Sequence, residues 1–190
     1  MEEIIRIKMT LLSDTIFGNG RSIPGQEDIS VLRDLDGFPY YRGSTFKGIF
    51  REELKRSLIW DKISEKKADE KCTEMLGSEG SANQTGGNMV FSDIVLSDRV
   101  KHEVLKELHD DVTVIEAFTH IRVFTKINDE GTADSGSLRS ARCVNKGLIF
   151  YGCIKCENGD RKLVERTLSL IKWIGTMRNR GFGHVRIEII

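Results

Sequence analysis

Arginines and glycines are concentrated near the end of the sequence, in the stretch RNRGFGHVRIEII. Arg178 and Arg180 carry guanidinium groups, which form forked hydrogen bonds with phosphate oxygens. Gly181 and Gly183 have no side chain, so the backbone beside them can lie against a polyanion. These residue types predict a loop that follows a nucleic-acid backbone, and a tight turn with solvated arginines is the alternative. We call residues 175–183 the closing loop.

A second segment with similar chemistry is RGSTFKGIFR, at residues 42–51. Gly43, Ser44 and Thr45 precede apolar residues at helical spacing, and the unpaired N–H groups of a helix N-terminus attract phosphate. The segment adds three positive charges, on Arg42, Lys47 and Arg51. It lacks the GxxxxGK[ST] order of a nucleotide-binding loop. A capped helix with solvated lysines is the alternative interpretation.

The overall composition is that of a globular protein without a charge bias. The 190 residues include 29 basic and 29 acidic side chains, and 39% are hydrophobic. Residues 161–190 differ, because they hold seven basic residues and two acids. A basic patch on a neutral protein is typical of nucleic-acid binding.

The composition also bears on location. No run of about eighteen apolar residues occurs, so we expect neither a membrane span nor a membrane partner. The first residues lack the apolar core of a signal peptide. The four cysteines show no disulfide spacing, which favours free thiols in the cytoplasm. Cys153 and Cys156 form half of a zinc motif; metal binding stays open, and ordinary burial is favoured.

Apolar periodicity predicts the elements that position these segments. Helical spacing predicts three helices, at residues 44–58, 98–108 and 162–176, with a weaker pattern at 61–76. Alternation predicts strands at residues 4–12, 89–96, 112–127, 138–156 and 184–190. Ser44 or Thr45 is expected to cap the first helix. Trp60 and Trp173, at helix ends, are expected in the core.

With the hairpin at about 112–147 set apart, the order is strand, helix, strand, strand, helix, strand. This order predicts an α+β, ferredoxin-like (RRM-like) βαββαβ domain spanning residues 1–190. Its core would comprise about 4–58, 89–96 and 147–190, with an insertion at about 59–88. Residues 180–187 nearly fit the RNA-reading pattern of an RRM. In an RRM that pattern lies on the third strand, whereas here it opens the fourth, so we do not predict an RRM.

Four segments resemble the RAMP superfamily of CRISPR-associated proteins. FPYYRGSTFKGIFR at 38–51 is similar to the family's glycine–serine segment, and VFSDIVL at 90–96 is similar to its FSDA-L strand. The closing loop resembles the family's glycine-rich loop. The hairpin segments GTA, GSL and VNKG, within 131–147, resemble the thumb of the backbone subunits of type III effector complexes.

The resemblance implies a subunit that binds CRISPR guide RNA, with copies of itself and other effector subunits as neighbours, and that acts on complementary target RNA. The implied RNA-binding residues are Arg42, Gly43, Ser44, Thr45, Lys47, Arg51, Arg122, Phe124, Arg178, Arg180, Gly181 and Gly183. In the hairpin, Phe118, His120, Arg122 and Phe124 are predicted to share one strand face. Such a surface suits stacking against bases, and it equally suits contact between copies.

Residues 27–34, EDISVLRD, resemble a family loop whose first aspartate is needed for target cleavage. We call them the acidic loop. The match assigns the catalytic role to Asp28, with Asp34 as second candidate, although its setting in RDLDG favours a turn. Ser30 stands where the family has proline. Asp28 would hold Mg²⁺ or Mn²⁺ transiently, because RNA cleavage needs charge neutralisation at the phosphate.

Two other functions stay open at this point. The chain could bind RNA as a scaffold without cleaving it, in which case Asp28 would have no chemical role. It could also be a metal-independent endoribonuclease that processes the guide. That enzyme needs a histidine near the N-terminal helix, and residues 1–101 contain none, which disfavours it.

Overall fold

The computed structural model describes residues 2–24, 27–78, 87–109, 111–125, 128, 131–132, 134 and 137–190, with only the backbone of Asn158. Its strands are β1 (Glu2–Leu11), β2 (Val90–Phe91), β3 (Val95–Leu96), β4 (Thr119–Phe124), β5 (Arg139–Val144), β6 (Ile149–Glu157) and β7 (Val185–Ile189). Its α-helices are α1 (Gly43–Trp60), α2 (Glu65–Leu76), α3 (Asp98–Glu107), α4 (Val114–Phe118) and α5 (Arg161–Leu170). Among these helices, none has the length and apolar content that crossing a bilayer requires.

The first strand lies inside the main sheet, and all strand pairings described in this sheet are antiparallel. β1 pairs with β6 on one side and with β7 on the other, and the short strands β2 and β3 both pair with β6. The spatial order is therefore β2/β3, β6, β1, β7. Ile5, Ile7 and Met9 are at most 1% exposed. The alternation in the sequence had predicted this buried face, and the structure confirms it.

Helices α1 and α5 are among those that contribute to the core with that face. Phe46, Phe50 and Leu54 recur every four residues along α1 and belong to the same buried cluster as the apolar face of β1. α5 adds Val164 and Leu168. Truncating one buried phenylalanine to alanine costs about 3–5 kcal/mol. This packing fixes the start of α1, where several candidate residues lie, relative to the sheet.

The predicted cap of α1 is wrong. The helix begins at Gly43 with Arg42 at the N-cap, and neither Ser44 nor Thr45 caps it, because both lie in its first turn. Instead the N–H of Gly43 donates a hydrogen bond of 2.7 Å to the Asp93 carboxylate, between β2 and β3. A residue distant in the sequence therefore performs the capping, and local spacing could not indicate it.

The hairpin of β4 and β5 forms a separate two-stranded sheet. The strand predicted at 112–127 is wrong at its start, where Val114–Phe118 is the helix α4. A capping box starts α4, since the N–H of Thr113 donates to the Glu116 carboxylate at 2.9 Å. Ile115 and Phe118 are both buried by this helix, so Phe118 does not share a strand face with Arg122.

The predicted insertion contains α2, which packs against α1 and buries Ala68, Cys72, Met75 and Leu76. Most of the loop predicted at 77–88, namely 79–86, lies outside the described residues. The same is true of much of the hairpin tip, at 126–127, 129–130, 133 and 135–136, which includes parts of the GTA and GSL segments.

Two expectations about the helix ends are wrong. α5 ends at Leu170 rather than near residue 176, because the chain then runs extended and pairs with the segment before β7. Trp173 lies in that extended stretch, is 40% exposed, and stacks on His184 at 4.6 Å between ring centroids. Trp60, at the end of α1, is 81% exposed. Neither tryptophan belongs to the core.

Candidate nucleic-acid interface and acidic loop

The start of α1 is partly occupied by the protein's own groups. Gly43 is buried, and a Cβ there would lie 2.5 Å from the carbonyl oxygen of Ser92, so its glycine serves packing against the sheet. Its N–H is taken by the Asp93 carboxylate, which also places a negative charge at the positive end of the helix. Ser44 and Thr45 are exposed. A phosphate at this end would therefore meet these two residues rather than Gly43.

Lys47 and Arg51 lie one turn apart on α1 and line a groove of about 880 Å³ between α1 and α2. Burial, and then the positive charge of Arg51, lower the pKa of Lys47. Arg51 donates a hydrogen bond of 2.6 Å to the carbonyl oxygen of Gly77, just after α2. The groove is also lined by Glu52, Lys55 and Asp69. Lys47 and Arg51 are two like charges close together, and an anion beside them would stabilise both.

The closing loop makes a short 3₁₀ turn at Arg178–Arg180, between left-handed residues at Met177 and Gly181. A Cβ on Gly183 would lie 1.9 Å from the carbonyl oxygen of Ile174, so this glycine is required inside the protein. A Cβ on Gly181 would meet no described atom within 4 Å. Of these two predicted glycines, Gly181 is the one with open space for a ligand.

The hairpin and the closing loop meet in a groove of about 460 Å³, the hairpin groove, lined by Arg122, Phe124, Arg180, Gly181 and Phe182 among others. The guanidinium of Arg122 lies 5.2 Å from the ring centroid of Phe182. That of Arg180 lies 6.0 Å from the ring of Phe124. The two rings are 5.6 Å apart and inclined at 72°. Two packed aromatic rings with a cation on each side are therefore found here, an arrangement suited to phosphates and bases together.

Asp14 organises one wall of the hairpin groove. Its carboxylate accepts a hydrogen bond from the N–H of Lys146 at 3.1 Å and lies 3.6 Å from the Arg122 guanidinium. The ring of His120 lies 3.5 Å from the same carboxylate. Asp14 and Phe182 were missed as site residues from the sequence, although Phe182 stands in the RGFG motif that had suggested RNA binding.

Tyr41 connects the start of α1 with the closing loop. Its hydroxyl oxygen accepts a hydrogen bond of 3.3 Å from the N–H of Gly175. Burial raises the pKa of Tyr41, and the Gly175 hydrogen bond and the charge of Arg178 act in the opposite direction. Arg178 therefore lies within electrostatic reach of the residue that precedes Arg42, so two segments far apart in the sequence are neighbours.

The two candidate acids have different surroundings. Asp28 is exposed, and its Oδ2 accepts hydrogen bonds from the N–H of Ser140 at 2.7 Å and from its hydroxyl at 3.3 Å. In Asp34, Oδ1 accepts from the N–H groups of Asp36 and Phe38, and Oδ2 pairs with Lys101 at 2.6 Å. Asp34 thus holds a turn with both oxygens. Within the described residues, Asp28 keeps one oxygen, Oδ1, without a hydrogen-bond partner.

That arrangement fits a transient divalent ion at Asp28. Mg²⁺ is commonly held by one or two carboxylates together with substrate phosphates and water, rather than by a cage of protein ligands. Among the described residues, no cluster of three or more His, Cys, Asp or Glu side chains forms such a cage. Cys156 is buried, which raises the pKa of its thiol, whereas Cys153 is half-buried.

The acidic loop also borders a groove that sequence reasoning missed. Arg21, Arg33 and Arg42 line a space of about 680 Å³ together with Asn19 and Tyr40. We call it the arginine groove. Within the described part of the chain, none of the three arginines forms an ion pair with a carboxylate. Arg21 and Arg33 lie in the long loop at 17–42. These loop arginines, to which no role was assigned, were the signal in the sequence from which the groove could have been predicted.

Comparisons with known proteins concern the fold and the family of the chain. Among solved structures, a chain of the type III-B Cmr-beta complex in its apo state, solved by cryo-EM, matches with a TM-score of 0.72 and 14% identity, over 98% of this chain and 97% of that one. A chain of the same complex bound to cognate target RNA matches with a TM-score of 0.70 and 15% sequence identity, over 100% of this chain. The present chain spans 61% of that second chain.

A chain of a type IV-B CRISPR complex matches with a TM-score of 0.62 and 13% identity, over 99% of this chain and 90% of that one. At such identities the likeness is one of fold. No curated protein matches in sequence. The model of the RAMP superfamily, however, matches residues 8–186. Since that match covers nearly the whole sequence, the chain belongs to the RAMP superfamily.

Proposed function

We propose that this chain is a guide-RNA-binding backbone subunit of a type III CRISPR ribonucleoprotein and that it cleaves complementary target RNA. The observation that carries the proposal is the hairpin groove, in which arginines and aromatic rings from two distant segments meet. Membership of the RAMP superfamily and the fold shared with subunits of CRISPR complexes support it. Copies of the chain would line up along the guide beside other effector subunits.

The fold supports the same assignment. In this proposal the sheet order β2/β3, β6, β1, β7, with α1 after β1 and α5 before β7, would correspond to a ferredoxin-like βαββαβ core. The hairpin of β4 and β5 would then correspond to the thumb. It would lie across the guide–target duplex and contact the next copy.

RNA would follow a path set by positive charge. The closing loop and the residues at the start of α1 would contact guide phosphates, and Lys47 with Arg51 would add two charges beside them. Phe124 would stack on a base where the hairpin disturbs the duplex. The arginine groove, next to the acidic loop, would take phosphates of the target strand.

Cleavage would be a phosphoryl transfer. The 2′-hydroxyl would lose its proton to water as its oxygen attacks the adjacent phosphorus. The bond from phosphorus to the 5′ oxygen of the next nucleotide would break, and that oxygen would take a proton from water, which leaves a 2′,3′-cyclic phosphate and a 5′-hydroxyl. Mg²⁺ or Mn²⁺, held through Oδ1 of Asp28, would supply charge neutralisation. The chain itself would orient the strand through the arginine groove, because an in-line approach depends on positioning.

A scaffold function is the second candidate, and one observation favours it. Asp28 is hydrogen-bonded to Ser140 through both its backbone and its Oδ2, so it could simply anchor the loop. Asp28→Asn separates the two functions, since an amide oxygen can still accept from Ser140 but carries no charge.

The experiment uses the assembled ribonucleoprotein, a guide-complementary RNA, and Mg²⁺ or EDTA. We expect metal-dependent, regularly spaced cuts that Asp28→Asn abolishes while target binding stays unchanged. Phe124→Ala should weaken RNA binding by about 1–3 kcal/mol, the usual contribution of a stacked base, and Trp60→Ala serves as an exposed aromatic control. Normal cutting by Asp28→Asn would reject the catalytic role of Asp28. Full RNA binding by Phe124→Ala would reject the role of the hairpin groove.

A further inference from the structure

The acidic loop lies beside β5 as a third segment next to the hairpin, and it runs parallel to β5. The N–H groups of Asp28 and Ile29 donate to the carbonyl oxygen of Ser140 at 3.0 and 3.1 Å. The N–H of Arg142 donates in return to the carbonyl oxygen of Ile29 at 2.9 Å. Ile29 forms a parallel bridge with Ala141. The backbone that carries Asp28 is therefore bound along β5, not free in solvent.

A buried ion pair also links the acidic loop to β5. Oε2 of Glu27 lies 2.5 Å from Nε of Arg142, and the two side chains are only 1% and 12% exposed. Nη1 of Arg142 also donates to the Thr119 hydroxyl, at 3.1 Å, on β4. One guanidinium thus connects the residue beside Asp28 to both strands of the hairpin. The other Glu27 oxygen, Oε1, is buried without a hydrogen-bond partner in the described part of the chain.

Burying a charged pair is costly unless the geometry is good, and replacing it with apolar residues is often neutral or favourable for stability. Stability alone therefore gives a weak reason for placing Glu27 and Arg142 here. The position of the pair gives a better one. Glu27 is the residue immediately before Asp28, and Arg142 follows Ser140, which binds the Asp28 carboxylate, by two positions along β5.

We infer that Glu27 and Arg142 are positioning residues, which fix the Asp28 carboxylate to the hairpin so that the acid moves together with the element that engages the RNA duplex. This inference rests on the proposed function. The acid keeps its place relative to β5 when the hairpin shifts on the duplex. Cleavage would then be confined to the phosphate beside the inserted hairpin.

The test compares Glu27→Gln and Arg142→Lys with the wild type in the assembled ribonucleoprotein. Lysine keeps the charge but has no fork to reach both Glu27 and Thr119. Asp61→Asn is the matched control, because it removes a two-bond ion pair with Arg166 that lies between α1 and α5. The measurements are target affinity, single-turnover cleavage at saturating target, and hydrogen–deuterium exchange of the backbone amides at 27–31 and 139–142.

We expect faster exchange at these amides in both variants and target affinity within about twofold of wild type. The cleavage rate should fall about 10- to 100-fold, since a misplacement of about 1 Å can cost that much. Asp61→Asn should leave all three measurements unchanged. If a single variant does not fold, Glu27→Met with Arg142→Met provides the same test with an apolar pair.

Unchanged exchange of the backbone amides at residues 27–31 would show that the Glu27–Arg142 pair does not hold the acidic loop to the hairpin, a link that we call the tether. Faster exchange with wild-type cleavage would overturn the positioning role. A loss of target affinity equal to the loss of rate would also overturn it, because the pair would then serve binding alone. Wild-type cleavage by Asp28→Asn, run in parallel, is the separate result that would reject the proposed catalytic acid. The positioning role would fall with it, and the exchange data would still decide whether the tether exists.

Discussion

Lys47 carries a charge that the free protein disfavours. Burial and the neighbouring Arg51 lower the pKa of its ammonium group from the usual 10.5. A phosphate in the groove between α1 and α2 would act in the opposite direction, because an anion favours the protonated form. RNA binding should therefore be coupled to the protonation of this one side chain.

This coupling has a definite sign. As pH rises through the lowered pKa of Lys47, the free protein loses the proton that RNA binding requires. RNA affinity should therefore start to fall at a pH below 10.5. Lys47→Arg should flatten this dependence, because guanidinium stays charged. Titration of labelled RNA between about pH 7 and pH 10 measures it, with Lys106→Arg on α3 as control for titration of the RNA itself. Parallel curves for wild type and Lys47→Arg would show that Lys47 does not contact phosphate.

At the scale of elements, α4 depends on a short local signal. Thr113 and Glu116 form the capping box that starts the helix at residues 114–118, and this helix buries Ile115 and Phe118 in the same core cluster as β1. Thr113→Ala should lower the free energy of unfolding by about 1 kcal/mol, the usual effect of losing a cap. Chemical denaturation measures this, with Thr125→Ala after β4 as a threonine control. An unchanged midpoint would mean that tertiary packing alone holds α4.

The same element shows what the sequence could and could not predict. The buried face of β1 and the apolar stripe of α1 followed from local periodicity, and both are present. α4 was missed because alternating, β-branched residues on either side of it favoured a strand, although Thr113-x-x-Glu116 was there to be recognised. The exposure of Trp60 could not be predicted, because it depends on what packs against the end of α1.

The candidate site divides in the same way. Arg122, Phe124 and Arg180 were named from residue type and resemblance, but their convergence depends on how the hairpin lies against the closing loop. Arg21 and Arg33 were missed because exposed loop arginines have no periodic pattern. Their groove is formed by isolated bridges such as Gly18 with Val31 and Arg33 with Pro39, which no local signal indicates.

At the scale of the whole molecule, charge distribution matters more than net charge. The net charge is zero, yet the arginine groove collects three arginines that have no carboxylate partner among the described residues. Arg21→Gln with Arg33→Gln should reduce the slope of log affinity against log salt by about 1.4, at about 0.7 for each phosphate contact with single-stranded RNA. Lys66→Gln with Lys67→Gln, on α2, changes the net charge equally and should leave the slope unchanged. Equal slopes in both double variants would exclude phosphate contacts in the arginine groove.

The central place of β1 has a consequence for biosynthesis. Translation produces β1 first among the strands, whereas its two partners begin only at Ile149 and Val185. Until those residues leave the ribosome, the apolar side of β1 has no sheet to join. Strand pairing across such a sequence separation is slow, and apolar, aggregation-prone surface stays exposed until it is complete. The nascent chain should therefore be a client of ribosome-associated chaperones, and the sheet should form only after β6 and β7 have been synthesised.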